Sequence, residues 1–218
     1  MDRYKSLNIK KLSFKEEMAN VITHGVSALG VLAVYPIAAI YAYKHGQTID
    51  VVGVSIMSVS LFMMFLMSTF YHAMDFGTKH KAVMKILDHI FIYVAIAGTY
   101  TPIALSIIGG WQGWVIFGVQ WAMVVFGIFY KSLSKKSLPK VSLSIYLIMG
   151  WTIVFFFPIF LKQASKILFM MILGGGLFYS IGSIFYAKKD LKLQHMIWHL
   201  FVMAGAITHY IGIAFFLY

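Results

Sequence analysis

Six histidines and one aspartate fall within, or at the threshold of, long apolar stretches: His24, His72, His89, His195, His199, His209 and Asp88. Ionisable groups are costly in an apolar medium, so each is a candidate functional residue. His195 and His199 are four residues apart, which on a helix places both imidazoles on one face within reach of one ion. Helical zinc sites use that spacing, although no Glu follows the first His as it does in metalloproteases. Two packed or interfacial histidines give the same pattern. His72 offers a third nitrogen from another segment, and three protein ligands with one open position describe a catalytic zinc site. The chain contains no cysteine, so any metal must be held by His, Asp or Glu, and thiolate chemistry is excluded.

Other residues have a plainer role beside the chemical one. Ser68 lies one turn from His72 on the same face, about 6 Å away at 1.5 Å per residue; it either faces a site or bonds its own helix carbonyl. Asp88 is either an acid favoured by a helix N-terminus or a general base near a metal. His209 stands about 15 Å beyond His199 along a helix, too far to share its coordination shell. Buried hydrogen bonding is its expected task, with a relay in a polar cavity as the alternative. His89 is expected to face away from Asp88, and His45 and His80 fall in loops.

The segments that must position these residues follow from composition. Hydrophobic residues make up 61% of the 218 and charged residues 11%, against about a quarter charged in a soluble domain. Seven apolar runs cover about 21–43, 51–73, 86–108, 112–130, 141–161, 165–187 and 193–217, each long enough for a membrane helix and too long for a barrel strand. The expected fold is an all-α integral membrane protein, a seven-transmembrane helix bundle, with segment 1–20 leading into one domain over 21–218. The first run is read as a helix and not as a cleaved signal peptide, because a basic segment precedes it and it has full span length. Pro36, Pro102, Pro158 and Gly174-Gly175-Gly176 lie inside apolar runs, where kinking and close helix packing are tolerated and a hinge is the alternative.

Basic residues set the expected orientation. The N-terminal segment and the second, fourth and sixth connections carry 15 Lys and Arg, and the opposite side carries 3, so the N-terminus is expected in the cytoplasm and the C-terminus outside. Trp111 and Trp114 would anchor the outer interface. The net charge of +11 is strung between apolar runs as on loops facing an anionic leaflet, which argues against nucleic acid as a partner. In this topology His24, His72, Asp88, His89, His195 and His199 all lie near the cytoplasmic ends of four helices, at one depth. Glu16 and Glu17 are expected ahead of the first helix.

In that order the residues resemble the hemolysin III family, which is grouped with the progestin and adipoQ receptors and more remotely with alkaline ceramidases. The resemblance rests on Glu17, Asn20, Thr23 and His24 entering the first helix, Ser68 to His72 (Ser-Thr-Phe-Tyr-His) closing the second, Asp88 opening the third, and His195 to His199 (His-Met-Ile-Trp-His) followed by His209. It implies a cytoplasmic N-terminus and zinc held by His72, His195 and His199, with Asp88 positioning a water and Ser68 nearby. Glu17, Asn20 and His24 would be supporting residues without ligand roles. The long soluble N-terminal region of the hormone receptors is missing, so a compact bacterial-type member in the cytoplasmic membrane is the better match.

Three functions are compatible with this reading. One is zinc-dependent hydrolysis of a lipid amide or ester, with ceramide or another acyl lipid as substrate, in membrane lipid metabolism or homeostasis. A second is a pore-forming cytolysin, against which stands a chain apolar from residue 21 onward and without a row of charges along any span. The third is a non-enzymatic sensor of membrane state with structural zinc.

Overall fold

Helix α1 starts at a local signal that hydropathy does not register. The Glu16 amide donates to Ser13 Oγ at 3.3 Å, and the Ser13 amide donates to Glu16 Oε2 at 2.9 Å. This capping box satisfies donors that a helix start leaves open, and α1 runs Phe14–His45. Glu16 and Glu17, expected ahead of the helix, therefore sit in its first turn. As a result Glu17, Asn20 and His24 share one helical face.

The computed structural model describes residues 9–134, 138–188 and 193–218. Among these, six further helices are long and apolar enough to cross a membrane: α2 Thr48–Ala73, α3 Lys79–Ile108, α4 Gly110–Leu133, α5 Pro139–Gln163, α6 Lys166–Ala187 and α7 Gln194–Phe216. There is no strand among the described residues, as expected of segments that must satisfy every backbone group internally. The chain is an all-helical, multi-pass membrane protein. Arg3, Lys5, Lys135, Lys136, Lys189 and Lys192, which entered the charge count, lie outside the described residues.

The prolines act differently from one another. α1 passes through Pro36 without a break. α3 is α-helical to Pro102 and then widens into a π turn over Ile103–Ile108, closed by the Gly109 amide on the Ala104 carbonyl at 2.9 Å. Opposite Pro102, a Cβ on Gly53 would stand 2.9 Å from the Pro102 Cα, so glycine is what lets α2 and α3 approach there. α5 is interrupted by a 3-10 stretch, Thr152–Phe156, before Pro158. Proline has no N–H to give the Val154 carbonyl, the i−4 bond that would carry the α-helix through. Gly175 of the triple glycine meets the His209 ring of α7, so here small residues serve packing.

Lipid-facing and interior helices separate by burial. In its apolar window α3 is 67% buried and α2 50%, whereas α1 and α5 are 17% and α4 and α6 28%; the inner pair is thus the scaffold on which the others pack. Large apolar side chains such as Leu29, Leu32, Phe129 and Phe155 point outward, which suits a lipid solvent. α1 packs on α2 and on α7, α7 on α6, and α3 on α2, α4 and α5. The bundle therefore closes by joining its first and last helices, and this brings residues near 20, 72, 88 and 195 together.

Candidate metal centre

His72 sits in the last turn of α2, and His195 and His199 occupy the first two turns of α7. Ligand nitrogens from these three rings all lie within 4.8 Å of one another, and the Nε2 atoms of His72 and His195 are 3.0 Å apart. A tetrahedral ion with metal–nitrogen bonds of about 2.0–2.1 Å holds its ligand atoms about 3.3 Å apart. The cluster fits one ion with small adjustments, and its donor set of three imidazoles suits borderline transition metals.

The second ring nitrogens of His72 and His199 are supported from α1. His72 Nδ1 lies 2.7 Å from Glu17 Oε2, so the carboxylate fixes the ring with Nε2 toward the cluster. Asn20 Nδ2 is 3.4 Å from the same nitrogen. The Thr23 hydroxyl donates to the Ala19 and Asn20 carbonyls and lies 3.4 Å from His199 Nδ1, leaving an oxygen lone pair to accept from that ring. His24 stacks on His199 with ring centroids 3.6 Å apart and planes 10° from parallel. Neither of its nitrogens has a hydrogen-bond partner; it stands beside the cluster and not in it.

A residue that sequence reasoning passed over anchors this support. Lys81 is 1% exposed, and its ammonium donates to Glu17 Oε1 at 2.7 Å, the Met74 carbonyl at 3.0 Å and the Tyr71 carbonyl at 3.2 Å. All three of its N–H donors are thereby used. Thr78 caps the start of α3 by accepting from the Lys81 amide at 3.1 Å, which sets Lys81 on the first turn facing back toward α1. Nothing in the local sequence separates Lys81 from Lys79; only the meeting of α1, α2 and α3 does. Leu193, at φ 57°, makes the left-handed turn that leads into α7 just ahead of His195. For a branched side chain this conformation is strained.

Asp88 and Ser68 open onto the same cavity as the histidines, a space of about 660 Å³. Asp88 is not in the trio that a single ion spans. His89, expected to face away, turns toward it: His89 Nδ1 is 3.2 Å from Asp88 Oδ2 and 2.8 Å from the Lys85 carbonyl. The contact arises because the ring folds back along its own helix to reach the i−4 carbonyl. Ser68 Oγ is buried without a partner, although Ser55, Ser58 and Thr69 of the same helix each bond the carbonyl four residues back. The plainer role considered for Ser68 is therefore not the one it adopts. His209 lines the far part of the cavity and places Nε2 2.9 Å from the Ile172 carbonyl. His45 is the last residue of α1 and His80 the second of α3.

A family model described as Haemolysin-III related matches residues 12–210. The chain belongs to this family. Its match spans every site residue from Glu17 to His209. Among curated relatives, Hemolysin-3 of Bacillus cereus is 37% identical over 202 residues, covering 93% of this chain and 92% of the relative. The Hemolysin-3 homolog of Bacillus subtilis (strain 168) is 34% identical over 204 residues, covering 94% and 95%. Monocyte to macrophage differentiation factor of Homo sapiens is 29% identical over 175 residues, covering 75% and 69%. No solved structure matches the chain significantly.

Proposed function

We propose that this family member is a zinc-dependent hydrolase of lipid amide or ester bonds, ceramide-like in chemistry, acting in the cell membrane with its N-terminus in the cytoplasm. The observation that carries the reading is the orphaned Ser68 hydroxyl and the Asp88 carboxylate lining one cavity with three convergent imidazoles. His72, His195 and His199 would hold the ion. Zinc so held supplies Lewis-acid polarisation of a carbonyl and acidifies a water. Asp88 accepts the proton of the attacking water and returns it to the leaving amine or alcohol as the carbonyl–heteroatom bond breaks. Ser68 donates to the carbonyl oxygen as its charge develops. Glu17 keeps His72 in one tautomer, and Lys81 keeps Glu17 in place. Beyond the polar end the cavity is lined by groups such as Ile92, Ile96, Leu147 and Val202, a surface suited to an acyl chain.

Two other readings share these features. The same imidazoles, supplied by α2 and α7, suit a structural ion that ties the helices together in a sensor. The name of the Bacillus cereus relative speaks for a lytic pore. Wild type and Asp88→Asn, reconstituted in liposomes with ceramide and other acyl lipids, separate all three through fatty-acid release and dye leakage. Hydrolysis that falls about a hundred- to ten-thousand-fold in Asp88→Asn, with metal and fold retained, supports the proposal. Leakage from both proteins without released acid refutes it in favour of the pore, and neither signal across a broad lipid panel favours the sensor.

A further inference from the structure

Lysines at the ends of membrane helices ordinarily extend outward to the headgroups, burying their stems and keeping the ammonium in water. Lys131, in the last turn of α4, does the reverse. Its ammonium donates to Ser142 Oγ of α5, a residue 2% exposed, and lies 5.3 Å from the Tyr130 ring centre and 6.0 Å from that of Tyr146. No carboxylate among the described residues comes within 4.0 Å of it. Lys131 and Ser142 line the cavity of the histidine cluster, and so does Lys85, one turn before Asp88 on α3.

Lys131 is half-buried, and a partly desolvated cation with no acid within ion-pair distance is costly unless something negative meets it. Ser142 and the two aromatic rings orient the ammonium but do not neutralise it. Of the acids that line the cavity, Glu16 is engaged by the Ser13 cap and Asp88 lies against His89. Tyr146 is also committed, because its hydroxyl donates to the His89 carbonyl at 3.0 Å. The cavity that α2 and α7 line with imidazoles thus also carries Lys131 from α4 and Lys85 from α3. An ammonium offers three donors and no acceptor, so its complement is a group rich in acceptor oxygens and negatively charged.

We propose that this cavity recognises the phosphate headgroup of an anionic acyl lipid, with Lys131 as the principal cation, Lys85 as the second and Ser142 as the residue that aims Lys131. This rests on the cavity being the acyl-lipid site, and it narrows the substrate class from lipid amides and esters in general to those bearing an anionic headgroup, with the ceramide likeness confined to the bond cleaved, since ceramide itself is uncharged. A neutral headgroup brings the Lys131 ammonium no charge of opposite sign.

The test is binding to the purified full-length, zinc-loaded protein in nonionic detergent, followed by fluorescence of Trp151 and Trp198, which both line the cavity. The probes are dioctanoyl phosphatidylglycerol, uncharged dioctanoylglycerol and inorganic phosphate. Charge-assisted hydrogen bonds predict that the anionic lipid binds about ten- to a hundred-fold more tightly than the neutral one. Lys131→Met should erase that ratio and Lys131→Arg should keep it. Lys140→Met should also keep it, because Lys140 is exposed and does not line the cavity. Equal affinities in wild type, or a ratio that survives Lys131→Met, overturn the proposal. Inorganic phosphate binding as tightly as the lipid overturns it in favour of a free-anion site. Should Lys131→Met not fold, the wild-type comparison of the two diacyl probes decides. A hydrolase indifferent to headgroup fails here and still loses turnover in Asp88→Asn, whereas a headgroup preference without turnover passes here and fails there.

Discussion

Replacing Lys81 by Met keeps most of the side-chain volume and removes only the ammonium, so the change isolates one charge. In the folded protein that charge balances Glu17, whose side chain is 17% exposed, while the Lys81 side chain is 1% exposed. Removing one partner of a buried pair costs about 3–5 kcal/mol, because the other charge is stranded. Glu17 keeps its His72 contact at 2.7 Å, which holds the expected loss to the lower figure, about 3 kcal/mol. For a chain of this size that is a fall in Tm of about 6–12 °C. The carboxylate, no longer tethered on its Oε1 side, would hold His72 less firmly, and loss of such outer support typically weakens metal binding by about 10–100-fold. Thermal unfolding in detergent gives the first number, and competition with a chromophoric chelator gives the second. The double variant Glu17→Gln/Lys81→Met strands no charge, so it should recover part of the Tm without recovering the metal affinity. A Lys81→Met protein with unchanged Tm and zinc affinity within about twofold of wild type, against the expected 10–100-fold loss, would refute the chain of support from Lys81 through Glu17 to His72.

Three further outcomes follow from the same structure. Purified protein should carry about one zinc per chain, as a single three-histidine site requires; His195→Ala/His199→Ala should lose it and unfold at lower temperature, and His45→Ala should retain it, as metal analysis will show. Gly175→Ala drives a methyl group into the His209 ring, so it should cost about 1–3 kcal/mol by overpacking, read by thermal unfolding. A reporter fused after Tyr218 should register outside the cell and one inserted near Ser134 inside; the opposite result would put the metal cluster on the outer face of the membrane.

How far each feature could be read in the sequence depended on the distance over which its cause acts. Seven spans follow from runs of apolar residues because the bilayer sums hydropathy over about 20 consecutive positions. The pairing of His195 with His199 follows from one turn of helix. Ser13 and Glu16 also carried a legible capping signal, one that an average over an apolar window erases, and so the first helix begins at Phe14 and takes Glu17 and Asn20 into the site face. What joins different helices was not legible. The burial of Lys81 against Glu17, the stacking of His24 on His199, the turn of His89 toward Asp88 and the inward direction of Lys131 each depend on which faces meet when α1 closes against α7 and α3 packs on α4 and α5. Composition gives a lysine the same value at a helix end whether it reaches lipid headgroups or a cavity. Packing between helices decides, because only there is the partner that satisfies or strands its charge.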